Sequence, residues 1–307
     1  MNYVSVCSGI EAATIAWKPL GWKALAYSDI DPFSQALLKH HYPEVSLYGD
    51  FTTIHETDIK SVDLLVGGTP CQSFSDAGHR RGLDDERGNL SIEFFRLAER
   101  IKPKWILWEN VPGVLKIDNG KGFASILSSM AELGYGYAWR VLNAQYFGVP
   151  QRRRRIFLVG YLGDWRYPAA SLFDSKSMFG NHSSSEKSIK EDIIQYSKDF
   201  TEDCRELSFD GYNFQLNGNV CSTLSTKLYH NRNLIFGIDS NNNEYARRMT
   251  PIEAERLQGF PDNYTLIPYK GTMSSDSIRH HAIGNSMAVP VMRWIGERID
   301  KVQNLIT

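Results

Sequence analysis

The chain has 307 residues, 42% of them hydrophobic and 12% aromatic, with a formal net charge of −1. That composition supports a sizeable core, gives a soft prior of two domains and argues against disorder. It also lacks the overall basic character of a nucleic-acid binder, so positive charge for such a partner must be gathered locally.

In chain order, YVSVCSG reads as a strand and EAATIAWKPLG as a helix ending near Pro19 and Gly21. KALAYSDID is a second strand, and DPFSQALLKHHYP a helix with Asp31 as cap and Pro32 at its first position. VDLLVGG and KWILWENV are further strands, separated by the helix LSIEFFRLAERIKP, whose apolar period is near 3.6. The helix GFASILSSMAELGY and the strands YAWRVLNAQ and RRIFLVGYL follow. Such alternation predicts an α/β fold with a mainly parallel sheet covered on both faces.

After Trp165 the character changes. Residues 171–190 are serine-rich, and 208–245 are dense in Asn, Gly and Ser with short β-like pieces such as NLIFGI. Helical pattern returns at TPIEAERLQGF, and the chain closes on VPVMRWIGERIDKVQNLI. The expected organisation is one domain over 1–165 and 276–307, with a smaller, loop-rich module over 166–275.

The amino-terminal stretch has no basic flank and carries Glu11 inside its apolar run, which makes it a poor secretory signal. No apolar run approaches membrane-spanning length. Cys7, Cys71, Cys204 and Cys221 are widely spaced with no C-x-x-C, suggesting neither a disulfide framework nor a metal site. The expectation is a reduced, cytoplasmic protein with no membrane partner.

In open α/β sheets, ligands bind beyond the carboxyl ends of the strands. CSGIEAA lies beyond the first strand and Asp29 ends the second, where a carboxylate suits a ribose diol or, alternatively, caps a helix. The pattern G-x-G-x-x-G is missing, so a nucleoside cofactor without phosphate, such as S-adenosylmethionine, fits better than a dinucleotide.

Cys71 follows Pro70 at a strand-to-loop edge. It reads equally as a buried small hydrophobe or as a nucleophile. Glu109 follows WILW at the same rim, where an apolar surround favours the protonated carboxyl; a salt-bridged or capping glutamate is the alternative. In QRRRRIF, alternation sends Arg153 and Arg155 to one face and Arg152 and Arg154 to the other. Because this run abuts the buried-strand pattern IFLVG, one pair is expected at the sheet rim, where planar donors suit phosphate or a base carbonyl.

Taken together these residues resemble the DNA (cytosine-5) methyltransferase family, of bacterial or phage type. VCSGIEAA is similar to its cofactor motif, GGTPCQSFSDAG to its nucleophile motif and WENV to its glutamate motif. QRRRRIF resembles the Gln-x-Arg-x-Arg motif, RLQGFPD the motif after the recognition region, and IGNSMAVPV the last one. The resemblance runs over residues 4–165 and 246–298, and this set in this order is very specific.

The resemblance implies a Rossmann-like S-adenosylmethionine-dependent domain with a mixed, mainly parallel sheet, plus a smaller target-recognition domain. It implies that Cys71 adds to carbon 6 of a cytosine flipped from duplex DNA, and that Glu109 holds nitrogen 3 and the exocyclic amine. Arg155 would grip the base carbonyl and Arg153 support the nucleophile loop, on which Gln72, Ser75 and Arg87 would contact DNA. Cofactor positions carry over onto Cys7, Gly9, Ile10, Asp29, Ile30, Asp50, Pro70 and Asn285, with Asp29 on the ribose and Asp50 on the adenine amine. One departure stands out: where the family has Phe-x-Gly-x-Gly-Gly, this chain has Cys7-Ser-Gly9-Ile-Glu11-Ala12. The expected partner is double-stranded DNA, the protein acting as a monomer; a cognate restriction endonuclease, a phage role and action alone all stay open. Competing readings are a tRNA cytosine-5 methyltransferase, an inactive DNA-binding regulator, and a cysteine hydrolase using His79.

Overall fold

The computed structural model describes residues 1–70, 90–173, 207–210, 215–218, 221–224, 233–238 and 243–307. They pack as two compact units, the first comprising 1–142, 155–174 and 295–307, the second 143–154 and 175–294.

The first unit is built on strands β1 (Asn2–Val6), β2 (Lys23–Ser28), β3 (Ser46–Tyr48), β4 (Leu64–Gly67), β5 (Trp105–Asn110), β6 (Tyr135–Asn143) and β7 (Arg154–Leu162). Their spatial order is β3-β2-β1-β4-β5-β7-β6. Pairing is parallel from β3 through β5, whereas β5 and β7 run antiparallel. The sheet is therefore the mixed, mainly parallel one expected. β3 was not legible: three residues are too few to show alternation, and they become a strand because the outer edge of β2 offers a free ladder.

The order of connection reverses between β1 and β4, which is where such sheets open a ligand crevice. The two strands end in register, Val6 opposite Gly67. Gly67 permits this closeness, since a Cβ there would meet Val6 Cγ2 and the Val6 carbonyl oxygen at 2.8 Å and Phe94 at 2.9 Å.

One face of the sheet is covered by α3 (Leu90–Ile101) and α4 (Lys121–Glu132). Phe94, Phe95 and Leu97 from α3 and Phe123, Ile126 and Met130 from α4 pack with Val4, Leu65, Ile106, Trp108, Ile156 and Leu158. These residues repeat at helical spacing on α3 and α4, so each helix turns an apolar stripe to the sheet. Further helices are α1 (Ala12–Trp17), α2 (Pro32–His41) and α5 (Arg166–Leu172). Asp31 caps α2 by accepting from Ser34 N, with Pro32 at the first position as expected. Residues 295–307 belong to this unit: Asp300 accepts from Trp22 Nε1, Gln303 from Trp105 Nε1, and Arg298 donates to the carbonyls of Ala170 and Ser171 in α5 and of Phe173 just after it.

The second unit contains an antiparallel sheet of β8 (Leu207–Asp210), β9 (Gln215–Gly218), β10 (Asn233–Ile238) and β11 (Glu244–Arg248), in the order β11-β10-β8-β9. It also holds α6 (Pro251–Gln258), α7 (Asp276–Asn285) and the beginning of α8 (Val289–Ile306). Thr250 and Glu253 cap α6 reciprocally. α7 was not foreseen, because its burial is partly polar: Arg279 pairs with fully buried Glu255 at 3.1 Å. Glu255 also accepts from Asn263 N and Thr265 N. Periodicity of apolar residues misses a helix anchored this way.

Candidate active site

The carboxyl ends of β1 and β2 form one corner. Cys7, Gly9 and Glu11 all adopt left-handed backbone conformations, φ 49°, 55° and 61°. The loop they shape is tied at each step. Ser8 N donates to Ser28 O, Gly9 N to Asp29 Oδ2 at 2.7 Å, and Glu11 N to Ser8 O. Asp29 therefore does not cap α2. Its other oxygen accepts from Asp31 N at 2.8 Å, holding the carboxylate across the mouth of the loop. Burial pushes its carboxyl up, opposed by the N–H bonds from Asp31 and Gly9.

Around Asp29 the surface is mixed. Ile30 is 75% exposed, a conspicuous apolar side chain beside two carboxylates, Asp29 and exposed Asp50. Asp50 accepts from Thr52 N at 2.9 Å. Cys7 is half-buried, and burial first, then Asp29 and Asp50, push its thiol up to about 12, so it stays protonated. Ile10 is completely buried, so its side chain belongs to the core. Carboxylates for hydroxyl and amine donors, an open apolar side chain and no basic residue in the loop fit a nucleoside cofactor without phosphates. Open space around Gly9 is consistent with a close approach there.

The ends of β4, β5 and β7 form the second corner. Glu109 pairs across the ladder with Phe157, and Arg155 lies two residues earlier on β7, so the two side chains share a face. Arg155 Nε is 3.1 Å from Glu109 Oε1, with only 16% and 11% of the side chains exposed. Next to them, Asn110 Nδ2 donates to Thr69 O at 2.9 Å, and Trp108 Nε1 donates to Thr69 Oγ1, also at 2.9 Å. Thr69 is thus pinned from β5 immediately before exposed Pro70. Asn110, Trp108 and Thr69 were missed as supports. WENV and GGTP carried them, but sequence could not say that one strand end holds the other. Cys71, Gln72, Ser75, Arg87 and His79 lie outside the described residues.

In the arginine run, Arg152 and Arg154 are exposed while Arg153 is buried and Arg155 largely so, following the alternation. Arg153, in the second unit, is 3% exposed. It donates to Leu224 O at 3.1 Å, Gly284 O at 3.2 Å and Ser286 O at 2.6 Å. Gln258 Nε2 also donates to Ile283 O and Ser286 O. The two carbonyls that Arg153 holds flank Asn285, which stands exposed between buried Gly284 and Ser286. Gln151 completes this cluster, donating to Leu257 O and accepting from Leu224 N.

The family model of the C-5 cytosine-specific DNA methylases matches residues 1–301. A protein of Escherichia phage P1 named DNA N-6-adenine-methyltransferase is 32% identical over 97% of this chain, which spans 61% of that protein's length. The type II methyltransferase M1.ScrFI of Lactococcus lactis subsp. cremoris is 35% identical over 91% of this chain and 72% of its own. Among solved structures, that of a Spodoptera frugiperda DNMT2 mutant superposes with a TM-score of 0.69 at 18% identity, covering 97% of this chain and 99% of that one. The last likeness concerns fold alone. The chain belongs to the C-5 cytosine-specific DNA methylase family, whose methyl donor is S-adenosyl-L-methionine. No helix among the described residues is long and apolar enough to cross a membrane.

Proposed function

We propose that this protein methylates carbon 5 of a cytosine swung out of a specific duplex DNA sequence, using Cys71 as the covalent nucleophile. The observation that carries the reading is the Glu109–Arg155 pair beside the end of the strand that leads to Cys71.

A cytosine ring is a poor nucleophile at carbon 5, and stacking hides carbon 6, so the base must leave the helix and gain electron density. Cys71 sulfur bonds to carbon 6. Glu109 takes up a proton as the base enters, holds nitrogen 3 and the exocyclic amine, and passes that proton to nitrogen 3 as negative charge develops. Arg155 grips the base carbonyl with its planar donors. When bound, S-adenosyl-L-methionine supplies the methyl group that carbon 5 accepts. A water molecule then takes the carbon 5 proton, Cys71 leaves as thiolate, and nitrogen 3 returns its proton to Glu109, which restores the aromatic ring. Gln72, Ser75 and Arg87 contact the DNA.

For the donor, Asp29 takes the ribose, Asp50 the adenine amine, and exposed Ile30 an apolar face, with Cys7, Gly9, Pro70 and Asn285 completing the set. Ile10 enters through its main chain alone. Arg153 acts as a support, on the strength of its bonds to the chain around Asn285. Catalysis is assigned to 1–165 and 276–307 and target reading to 166–275, a division by role that differs from the compact units, since 143–154 and 276–294 belong to the second. The protein works on double-stranded DNA in the cytoplasm as a monomer, either alone or alongside a restriction endonuclease of the same specificity.

The test is covalent trapping. Oligonucleotides carrying 5-fluorocytosine in varied contexts, incubated with protein and S-adenosyl-L-methionine, should yield an adduct stable on a denaturing gel. Cys71→Ser should give none and transfer no radiolabelled methyl. Absence of adduct with every duplex, or label passing to tRNA and not to DNA, overturns the proposal.

A further inference from the structure

Glu11 stands where the family pattern has the first of two adjacent glycines, and its backbone is still left-handed, φ 61° and ψ 61°. A glycine adopts that conformation freely, whereas an L side chain is strained in it. A glutamate retained at such a position needs a compensating task for its side chain.

The side chain has one. Glu11 is 0% exposed, and its carboxylate accepts from Ser5 Oγ at 2.8 Å, Thr14 N at 3.1 Å and Thr14 Oγ1 at 3.1 Å. Thr14 Oγ1 in turn shares hydrogen bonds with the hydroxyls of Tyr3 and Tyr27. One buried carboxylate therefore ties β1, the first turn of α1 and, through Thr14, β2. Its own backbone N–H closes the loop onto Ser8.

We propose that Glu11 is a positioning residue for the methyl donor, its buried carboxylate fixing the left-handed Cys7–Glu11 loop against which the donor lies. This rests on the assignment of the donor to the Gly9–Asp29 corner. The same side chain makes the corner sensitive to pH. Burial pushes the Glu11 carboxyl up to about 7, opposed by its bonds from Ser5 and Thr14, with the Asp29 charge adding to the rise. The titratable groups facing it are Tyr3 on β1, Tyr27 on β2 and Asp29 beyond β2, and burial holds both tyrosines protonated. The donor carries a fixed sulfonium charge, which favours ionised Glu11, so donor affinity rises as pH climbs through 7.

The test measures KM for S-adenosyl-L-methionine, kcat at saturating donor, and donor affinity by calorimetry from pH 6 to 8. Glu11→Gly relaxes the backbone and removes the anchor, so KM should rise at least about tenfold with kcat at saturating donor little changed. Glu11→Gln keeps the acceptor for Thr14 and, being neutral like the protonated carboxyl, should match the wild-type KM at pH 6, while its affinity no longer changes near pH 7. Asp29→Ala serves as the separate control: retained donor affinity there overturns the corner assignment itself. If Asp29→Ala loses the donor but Glu11→Gly and Glu11→Gln both match the wild type, the role of Glu11 alone is wrong. Should Glu11→Gly fail to fold, the pH profile decides. A wild-type step near 7 that persists in Glu11→Gln overturns the proposal, and its disappearance supports it.

Discussion

Arg155 Nε and Glu109 Oε1 lie 3.1 Å apart on neighbouring strands, both side chains largely removed from water. An ion pair this sheltered is costly to split, because the remaining charge is left without its partner. Arg155→Met should therefore destabilise the fold by about 3 kcal/mol in urea denaturation. Adding Glu109→Gln should recover part of that loss, as the orphaned carboxylate is then neutralised. A double variant as unstable as the sum of the singles would mean the two side chains are not coupled.

The same pair allows stability and chemistry to be separated. Glu109→Gln preserves shape but cannot deliver a proton, and its methyl-transfer rate should fall roughly 10²–10⁴-fold with donor affinity unchanged. Single-turnover measurement with radiolabelled donor checks this; a near-normal rate removes Glu109 from proton delivery.

Glu11 predicts a pH dependence of folding. Its carboxyl stands at about 7 in the folded protein against an ordinary 4.5. The folded state thus binds the proton more tightly, and its contribution is full below about 4.5 and lost as pH rises to 7. By linkage this amounts to about 3 kcal/mol across that window. Denaturation at pH 5 and pH 8 should show the wild type losing stability relative to Glu11→Gln, which carries no such proton. Parallel pH curves for the two proteins would refute it.

Gly67 should tolerate no side chain. A Cβ there would lie 2.8 Å from Val6 and 2.9 Å from Phe94, most of it rigid structure. Gly67→Ala should cost roughly 1–3 kcal/mol by overpacking, read as a lowered melting temperature. An unchanged melting temperature would show that β1 and β4 can part without penalty.

Arg153 should behave as structure rather than as chemistry. Arg153→Met removes the Arg153 donors from the buried carbonyls of Leu224, Gly284 and Ser286, of which Ser286 O keeps its bond from Gln258, and should destabilise by about 2–5 kcal/mol. Arg153→Lys should recover some of this loss, since an ammonium can reach one or two of the three oxygens but lacks the planar fork. Denaturation of both variants decides, and a lysine variant no better than methionine would show that charge does not matter there.

Much of this was readable in advance for a physical reason. Asp31-Pro32 and the arginine alternation are local signals, and each does in the fold what its chemistry demands. What escaped was non-local. Nothing in SLY foretells β3, which exists because β2 had an unpaired edge. Nothing in the arginine run says that Arg153 would reach carbonyls more than a hundred residues away while Arg155 meets Glu109. Glu11 looked like an interruption of an apolar stretch. Its meaning depends on Ser5 and Thr14 converging on it.

The antiparallel partnership of β5 and β7 has a wider bearing. In a wholly parallel sheet, only residues that come after a strand gather at the working rim, so each new group costs another full crossover. A single inverted strand brings residues that precede it to that rim as well. Cationic groups can then be recruited from the lead-in to β7 and varied by changing the β6–β7 connection, leaving the parallel crossovers, and the donor corner they build, undisturbed.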